Sequence, residues 1–439
     1  MNAPANRPTA LRAARLPRWL LPPDWPTAAG QPALADIHMA QGRIARVALH
    51  QADAEASPGA WHLAGAPVLP GLVDAHVHLD KTFTLPRMGA VQPGLLGAID
   101  AMMADKATWT PADVRQRASQ ALRWAYEAGT VHLRTHCDWW DPARAPIAWP
   151  VLQELAEQWR GRLTVERVNL SPLTLYEDLD WARRTARTVA ASGAGARLGG
   201  FVHSTNFSAA ALRHLFEAAQ AHGLDVDLHC DEELNPASQG LAATAALMAE
   251  LRFDGRVVCG HTCALAAMPE SDALRTLDAV AVQRITLIAL PATNLILQDA
   301  AAARTPRLRG LTLVKEARAR GIPVLLASDN VQDPFCPAGG YDPLESLLIG
   351  APMGQLAQPF DAWSDTVCRA DWLGAASALP LQAGAVADLV VFPAADAWGF
   401  PSRTQPRTVL RAGVLAHGAA PAPATLQPAS QPLRAEAAA

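Results

Sequence analysis

The residues best suited to chemistry are His76 and His78, in the run Asp74-Ala75-His76-Val77-His78-Leu79-Asp80. The apolar segment Ala66-Pro67-Val68-Leu69-Pro70-Gly71-Leu72-Val73 before them reads as a buried strand. Side chains two apart on a strand share one face, so both imidazoles project the same way and can reach one metal ion. Imidazole is the commonest neutral nitrogen ligand for such ions. Alone, a His-x-His is weak evidence, because two polar residues at a strand end look the same. Its weight comes from His229 with Glu232, then His261, then Asp329. Each follows a short apolar run, and one such residue is ordinarily a cap or a packed polar group. Four sets at successive strand ends are not explained by packing. Three histidines and a carboxylate meet the needs of a catalytic metal, which takes several protein ligands and an open position for water.

These residues need a scaffold that gathers them. Apolar runs such as Val131–His136, Gly200–His203, Val226–His229, Val257–His261, Thr286–Leu290 and Val324–Asp329 each follow a helical stretch. The helices between them include 113–128, 207–222 and 237–252, with apolar residues at helical spacing. Strand and helix alternating over some 300 residues predict an α/β fold, a (β/α)₈ barrel, whose active site lies at the C-terminal strand ends. Residues 1–65 contain alternating strands with a Gln41-Gly42 hairpin turn, and a similar pattern returns in Ala387–Phe392 and Thr408–Leu415. The expected organisation is a small β-sandwich module built from both termini, 1–65 and 381–417, around a barrel at 66–380. The segment 418–439, rich in Ala, Pro and Gln, is expected to be a disordered tail.

Composition excludes several classes. Half of the 439 residues are hydrophobic and 18% are charged, which is globular, and a net charge of -4 gives no footprint for nucleic acid. Trp19-Leu20-Leu21 is broken at once by Pro22-Pro23, too short for the apolar core of a signal peptide, and no stretch is long enough to span a membrane. Six cysteines at 137, 230, 259, 263, 336 and 368 lack framework spacing, and Cys259 and Cys263 have no second pair to make a metal clip. The chain is therefore expected to be cytoplasmic, with reduced thiols.

The order His-x-His, His-Cys-Asp-Glu, Gly-His-Thr and Ser-Asp-Asn resembles the amidohydrolase superfamily, in its cytosine deaminase-like branch. The likeness runs from Leu69 to about Phe392. It includes Leu133-Arg134-Thr135-His136-Cys137-Asp138, Asn294-Leu295-Ile296-Leu297-Gln298 and Asp333-Pro334-Phe335. The resemblance implies His76, His78, His229 and Asp329 as ligands of one divalent metal, zinc or iron, with manganese admitted by the same donors. It implies Glu232 as proton shuttle and His261 as the group that orients the attacking hydroxide. It further implies a small heterocyclic substrate and a homo-oligomer. No strand end carries the lysine that would bridge two metals, so a mononuclear site is expected. The His-x-Glu and Pro-Cys-x-x-Cys of the unrelated zinc nucleobase deaminases are absent.

Two departures bear on the substrate. Asp329-Asn330 stands where cytosine deaminases have consecutive aspartates, and Val168–Leu173 carries none of the glutamine that reads the pyrimidine. Cytosine itself is therefore disfavoured. His76–Lys81 and Ser328–Asn330 also resemble the N-isopropylammelide aminohydrolases, which lack the His-x-x-Glu seen here at His229–Glu232. Lys81 is a candidate for an anionic or carbonyl oxygen of the substrate. Asn330, Asn294 and Phe335 are further candidate contacts, with Trp139 and Trp140 as pocket walls. The reading is a hydrolytic deaminase releasing ammonia from a pyrimidine-, triazine-, pterin- or creatinine-like ring. Its alternatives are hydrolysis of an N-alkylamino heterocycle or cyclic amide, and an inactive metal-binding barrel.

Overall fold

The computed structural model describes residues 6–28, 30–52, 58–375, 379–402 and 406–421. The expected tail therefore falls almost wholly outside the described residues. Eight parallel strands form one sheet in chain order: β1 (Leu72–Val77), β2 (Thr130–Asp138), β3 (Thr164–Leu170), β4 (Ala196–Val202), β5 (Val226–Cys230), β6 (Val257–His261), β7 (Ile285–Ala289) and β8 (Val324–Leu326). The sheet closes on itself just past β8, where Val77 bridges Asp329 and the Asp329 amide donates to the His76 carbonyl at 2.8 Å. The Ser328 amide donates to Asp74 Oδ1 at 2.9 Å beside it. This is the expected barrel.

Local chemistry sets the connections. Thr110 caps the Pro111–Ala128 helix by accepting from the Asp113 amide, and Gly129, with a φ of 106°, ends it directly before β2. Ser208 caps Ala209–Ala221 in the same way. The helix expected at 237–252 begins only at Gly240. Its first amides, Gly240 and Leu241, donate to the Asp231 carboxylate at 3.0 and 2.9 Å, so the residues before it serve as the loop leaving β5.

Two four-stranded sheets make the second layer. One orders Arg43–Leu49, Ala35–Ala40, Ala10–Ala14 and Trp61–His62. The other orders Val414–His417, Thr408–Arg411, Leu389–Val391 and Val68–Pro70, so chain from both ends meets there. Leu11, Ile37, Ile44, Val68, Leu389 and Leu410 share one apolar cluster between them. The Gln41-Gly42 hairpin forms as expected, with φ of 50° and 77°. A Cβ at Gly42 would lie 2.9 Å from the Ala412 carbonyl, so this turn needs glycine to seat against the C-terminal strands. Among the described residues no helix is long and apolar enough to cross a membrane.

Candidate active site

The pleat of each barrel strand decides which side chains enter the ring. On β2, Arg134, His136 and Asp138 alternate inward. On β5, Asp227 and His229 do so. The lower layer is ionic. Arg134 donates to Glu166 at 2.8 Å and to Asp227 at 2.8 Å, with all three buried. Asp227 also holds His136, whose Nε2 is 3.1 Å from its Oδ1. Above it, the His136 ring lies against His76 with centroids 3.9 Å apart.

The structure brings the sequence-predicted metal residues together at the C-terminal rim. His76 Nε2 and His229 Nε2 are 3.2 Å apart, and His229 Nε2 is 3.2 Å from His78 Nε2. Asp329 Oδ1 lies 3.1 Å from His78 Nε2 and 3.5 Å from His76 Nε2. Two donors bound to one tetrahedral cation at about 2.0–2.1 Å lie roughly 3.3 Å apart, and these spacings match that edge. Burial, then the surrounding imidazoles (with the Lys81 ammonium second at His78), pushes His76, His78, His229 and His261 well below the ordinary 6.5. They are neutral, the form that ligates. The Asp329 carboxyl is raised to about 8 by burial and by Asp333, and neither of its oxygens has a hydrogen-bond partner. A fully buried carboxyl left unpaired among lone-pair nitrogens is costly, and a shared cation resolves the cost at every atom. The donor set fits one divalent metal. His76 also groups with His78 and His136, and with His229 and His261, as sets of converging donors.

Tight packing underlies this convergence. His229 pairs with Gly260 across β5 and β6, and a Cβ at Gly260 would fall 2.9 Å from both Cε1 and Nδ1 of His76. The strand ends are also strained. Asp231, His261 and Asp329 take φ of 51°, 68° and 61°, a left-handed region that side chains usually avoid.

Glu232 is buried and lies 3.3 Å from His261 Nδ1 through its Oε1. Burial, with Asp329 adding, raises its carboxyl well above the usual 4.5. Asn294 donates to His261 Nδ1 at 3.1 Å and is not among the residues lining the cavity. The helix Pro291–Leu297 starts at the end of β7 and brings this amide against the imidazole.

A cavity opens over the cluster, touching His78, His229, Glu232 and His261. Lys81, Asn330 and Phe335 line it. Lys81 is not free, however. Its Nζ is 2.9 Å from Asp138 Oδ1 and sits 4.6 Å from the Phe335 ring centre. Burial alone would lower this ammonium, but Asp138 and Asp80 hold it above its ordinary value. Asn330 donates to Asp333 Oδ2 at 2.7 Å. Of the two tryptophans, Trp140 lines the cavity, whereas Trp139 packs on Trp149 with ring centres 5.6 Å apart. Adjacent residues on an extended chain face opposite ways, so only one of the pair can reach the pocket. Asp138, His136, Phe201 and the Leu95–Lys106 helix are site elements to which the sequence reading gave no role. For His136 and Asp138 the signal was present, since both close an apolar run at a strand end.

The amidohydrolase family model matches residues 143–417. The chain belongs to the amidohydrolase family. This amidohydrolase is thus a hydrolase of carbon–nitrogen bonds, and His76 and His78 lie ahead of the matched span. It is 39% identical over 350 residues to a pterin deaminase of Rhizobium rhizogenes, covering 79% of each chain. It is 24% identical over 339 residues to an N-isopropylammelide isopropyl amidohydrolase of a Pseudomonas species, covering 74% of this chain and 79% of that one. Among solved structures it resembles 5-methylcytosine deaminase from Klebsiella pneumoniae bound to phosphonocytosine. There the TM-score is 0.76 and the identity 25%, over 92% of this amidohydrolase and 97% of that chain.

Proposed function

We propose that this amidohydrolase is a metal-dependent deaminase that replaces the exocyclic amino group of a pterin-like ring by oxygen. The observation that carries the reading is Glu232. It is a buried carboxyl, which burial favours in its acid form, opening into the cavity that the histidine cluster floors. The relationship to the pterin deaminase of Rhizobium rhizogenes favours a fused ring over a single one. Trp140, Phe201 and Phe335 offer the flat apolar faces that such a ring packs against.

In this reading His76, His78, His229 and Asp329 hold one zinc, iron or manganese ion. When bound, such an ion lowers the pKa of water toward neutrality and supplies hydroxide. Glu232 donates its proton to the ring nitrogen next to the amino-bearing carbon, which makes that carbon electrophilic. Water's oxygen bonds to the carbon, and Asp329 is placed to take the proton released. The carbon–nitrogen bond then breaks as the new hydroxyl's proton passes through Glu232 to the departing ammonia, and the proton held by Asp329 restores Glu232 to its acid form. His261, steadied at Nδ1 by Asn294, presents Nε2 to the attacking oxygen. The net change is one water consumed and one ammonia released. Six buried cysteines, all free, suit the reducing cytoplasm.

The test is ammonia release from pterin by metal-loaded protein, with the change in ring absorbance recorded in parallel. Release of one ammonia per ring supports the reading. No release from pterin or from other amino-substituted rings sinks it, and an alkylamine or a ring-opened acid in place of ammonia replaces it.

A further inference from the structure

Resting on the deaminase reading, we infer that the substrate's ring substituent is uncharged and apolar, and that the Leu95–Lys106 helix selects for it. The reacting carbon must lie at the histidine cluster, so the rest of the molecule extends toward the remaining cavity wall. That wall is built by Leu95, Ile99, Met102 and Met103 of this helix, and none of these side chains carries a hydrogen-bonding donor. Methionine adapts its shape to an apolar guest at little cost.

The cations near the cavity are already spent. Among the described residues Lys81 is the one ammonium or guanidinium lining it, and it is bound to Asp138 at 2.9 Å. Lys106, at the end of the same helix, donates to the Asp138 carbonyl at 2.8 Å. Asp138 thus accepts from both, through its carboxylate and its backbone carbonyl. A carboxylate on the substrate would therefore meet an apolar wall with no unpaired cation to balance it, and with Asp138 nearby. Leaving a charge unpaired in such a site is strongly disfavoured, whereas an alkyl group there only removes apolar surface from water. Lys81 thus serves to complete a neutral rim and does not recruit anionic substrates.

The experiment compares binding of 6-methylpterin and pterin-6-carboxylate to the metal-loaded protein, by quenching of the ligand's own fluorescence. The methyl compound is expected to bind at least about 100-fold more tightly. Met103→Arg, at an exposed position that can accept the longer chain, is expected to narrow that ratio at least about tenfold. Leu96→Arg, on the same helix but outside the cavity lining, is expected to leave it unchanged. Equal affinities, tighter binding of the carboxylate, no binding of either, or an effect of Leu96→Arg equal to that of Met103→Arg overturns the inference. A preserved preference without ammonia release instead refutes the deaminase reading and leaves the selectivity standing.

Discussion

Gly260→Ala is the sharpest perturbation of the metal site, because it touches a ligand without removing one. The new methyl carbon would lie 2.9 Å from two atoms of the His76 ring, and the next neighbour, the Leu228 carbonyl, is at a comfortable 3.6 Å. Ordinary carbon contact begins at about 3.5 Å, so either the ring or the strand must give by roughly half an ångström. The ring has nowhere to retreat, since His136 lies on it with centroids 3.9 Å apart and is itself held by Asp227. Ligand distances tolerate only about ±0.2 Å, so a shift of that size takes His76 Nε2 out of coordination range. Overpacking of this kind costs about 1–3 kcal/mol. If that cost falls on the metal-bound state, affinity drops by roughly 5- to 150-fold. Competition against a chelator of known affinity reads the change, with metal content after dialysis as a second measure. Wild-type affinity and stoichiometry in Gly260→Ala would refute the assignment of His76 as a ligand.

Three further outcomes are expected. Glu232→Gln should lower kcat by about 100- to 10,000-fold while metal content stays at the wild-type value, and unchanged turnover would remove its role as acid. Asp227→Ala takes one of the two buried carboxylates from Arg134, which keeps Glu166, and the Asp227 partner from His136, and should cost about 1–3 kcal/mol in urea unfolding, so a loss under about 0.5 kcal/mol would show this part of the ionic layer to be dispensable. Acid stability should depend on Glu166: burial opposes its ionisation, but Arg134 and then His132 hold it well below its usual 4.5. A depressed carboxyl stabilises above its unfolded value and loses that stabilisation as pH falls through the folded one. Glu166→Gln should therefore flatten the fall in stability below about pH 4.5, read by urea titrations across pH, and an unaltered acid limb counts against it.

The barrel and most of its rim were legible because strand ends announce themselves. At His76, His229, His261 and Asp329 an apolar run stops at a polar side chain, and the fold brings such stops to one place. The same rule reached His136 and Asp138. Their partners, Asp227 and Lys81, are distant in sequence, and the contacts that give them meaning come only from the closed ring. The contact of Asn294 with His261 depends on a short helix that periodicity does not reveal. The apolar wall was missed for a different reason. Leu95, Leu96, Ala98, Ile99, Met102 and Met103 surround much of their helix, so no single face marks which of them meets a ligand. The late start of the Gly240–Leu251 helix likewise depends on a cap, Asp231, that lies nine residues upstream.

The contact between Val77 and Asp329 has a consequence for how the protein tolerates demetallation. A cyclic sheet is a hoop with one fastening, and here the fastening is a bridge and a few amide bonds between segments some 250 residues apart. Three of the four residues assigned to the cation flank that joint: His76 and His78 at the end of the first stave, Asp329 just past the last. Stripping the ion would leave a repelled, unsatisfied group at the hoop's weakest point. Amide exchange should then quicken first at Val77, Ser328 and Asp329, so that the same ion which activates water also keeps the staves bound.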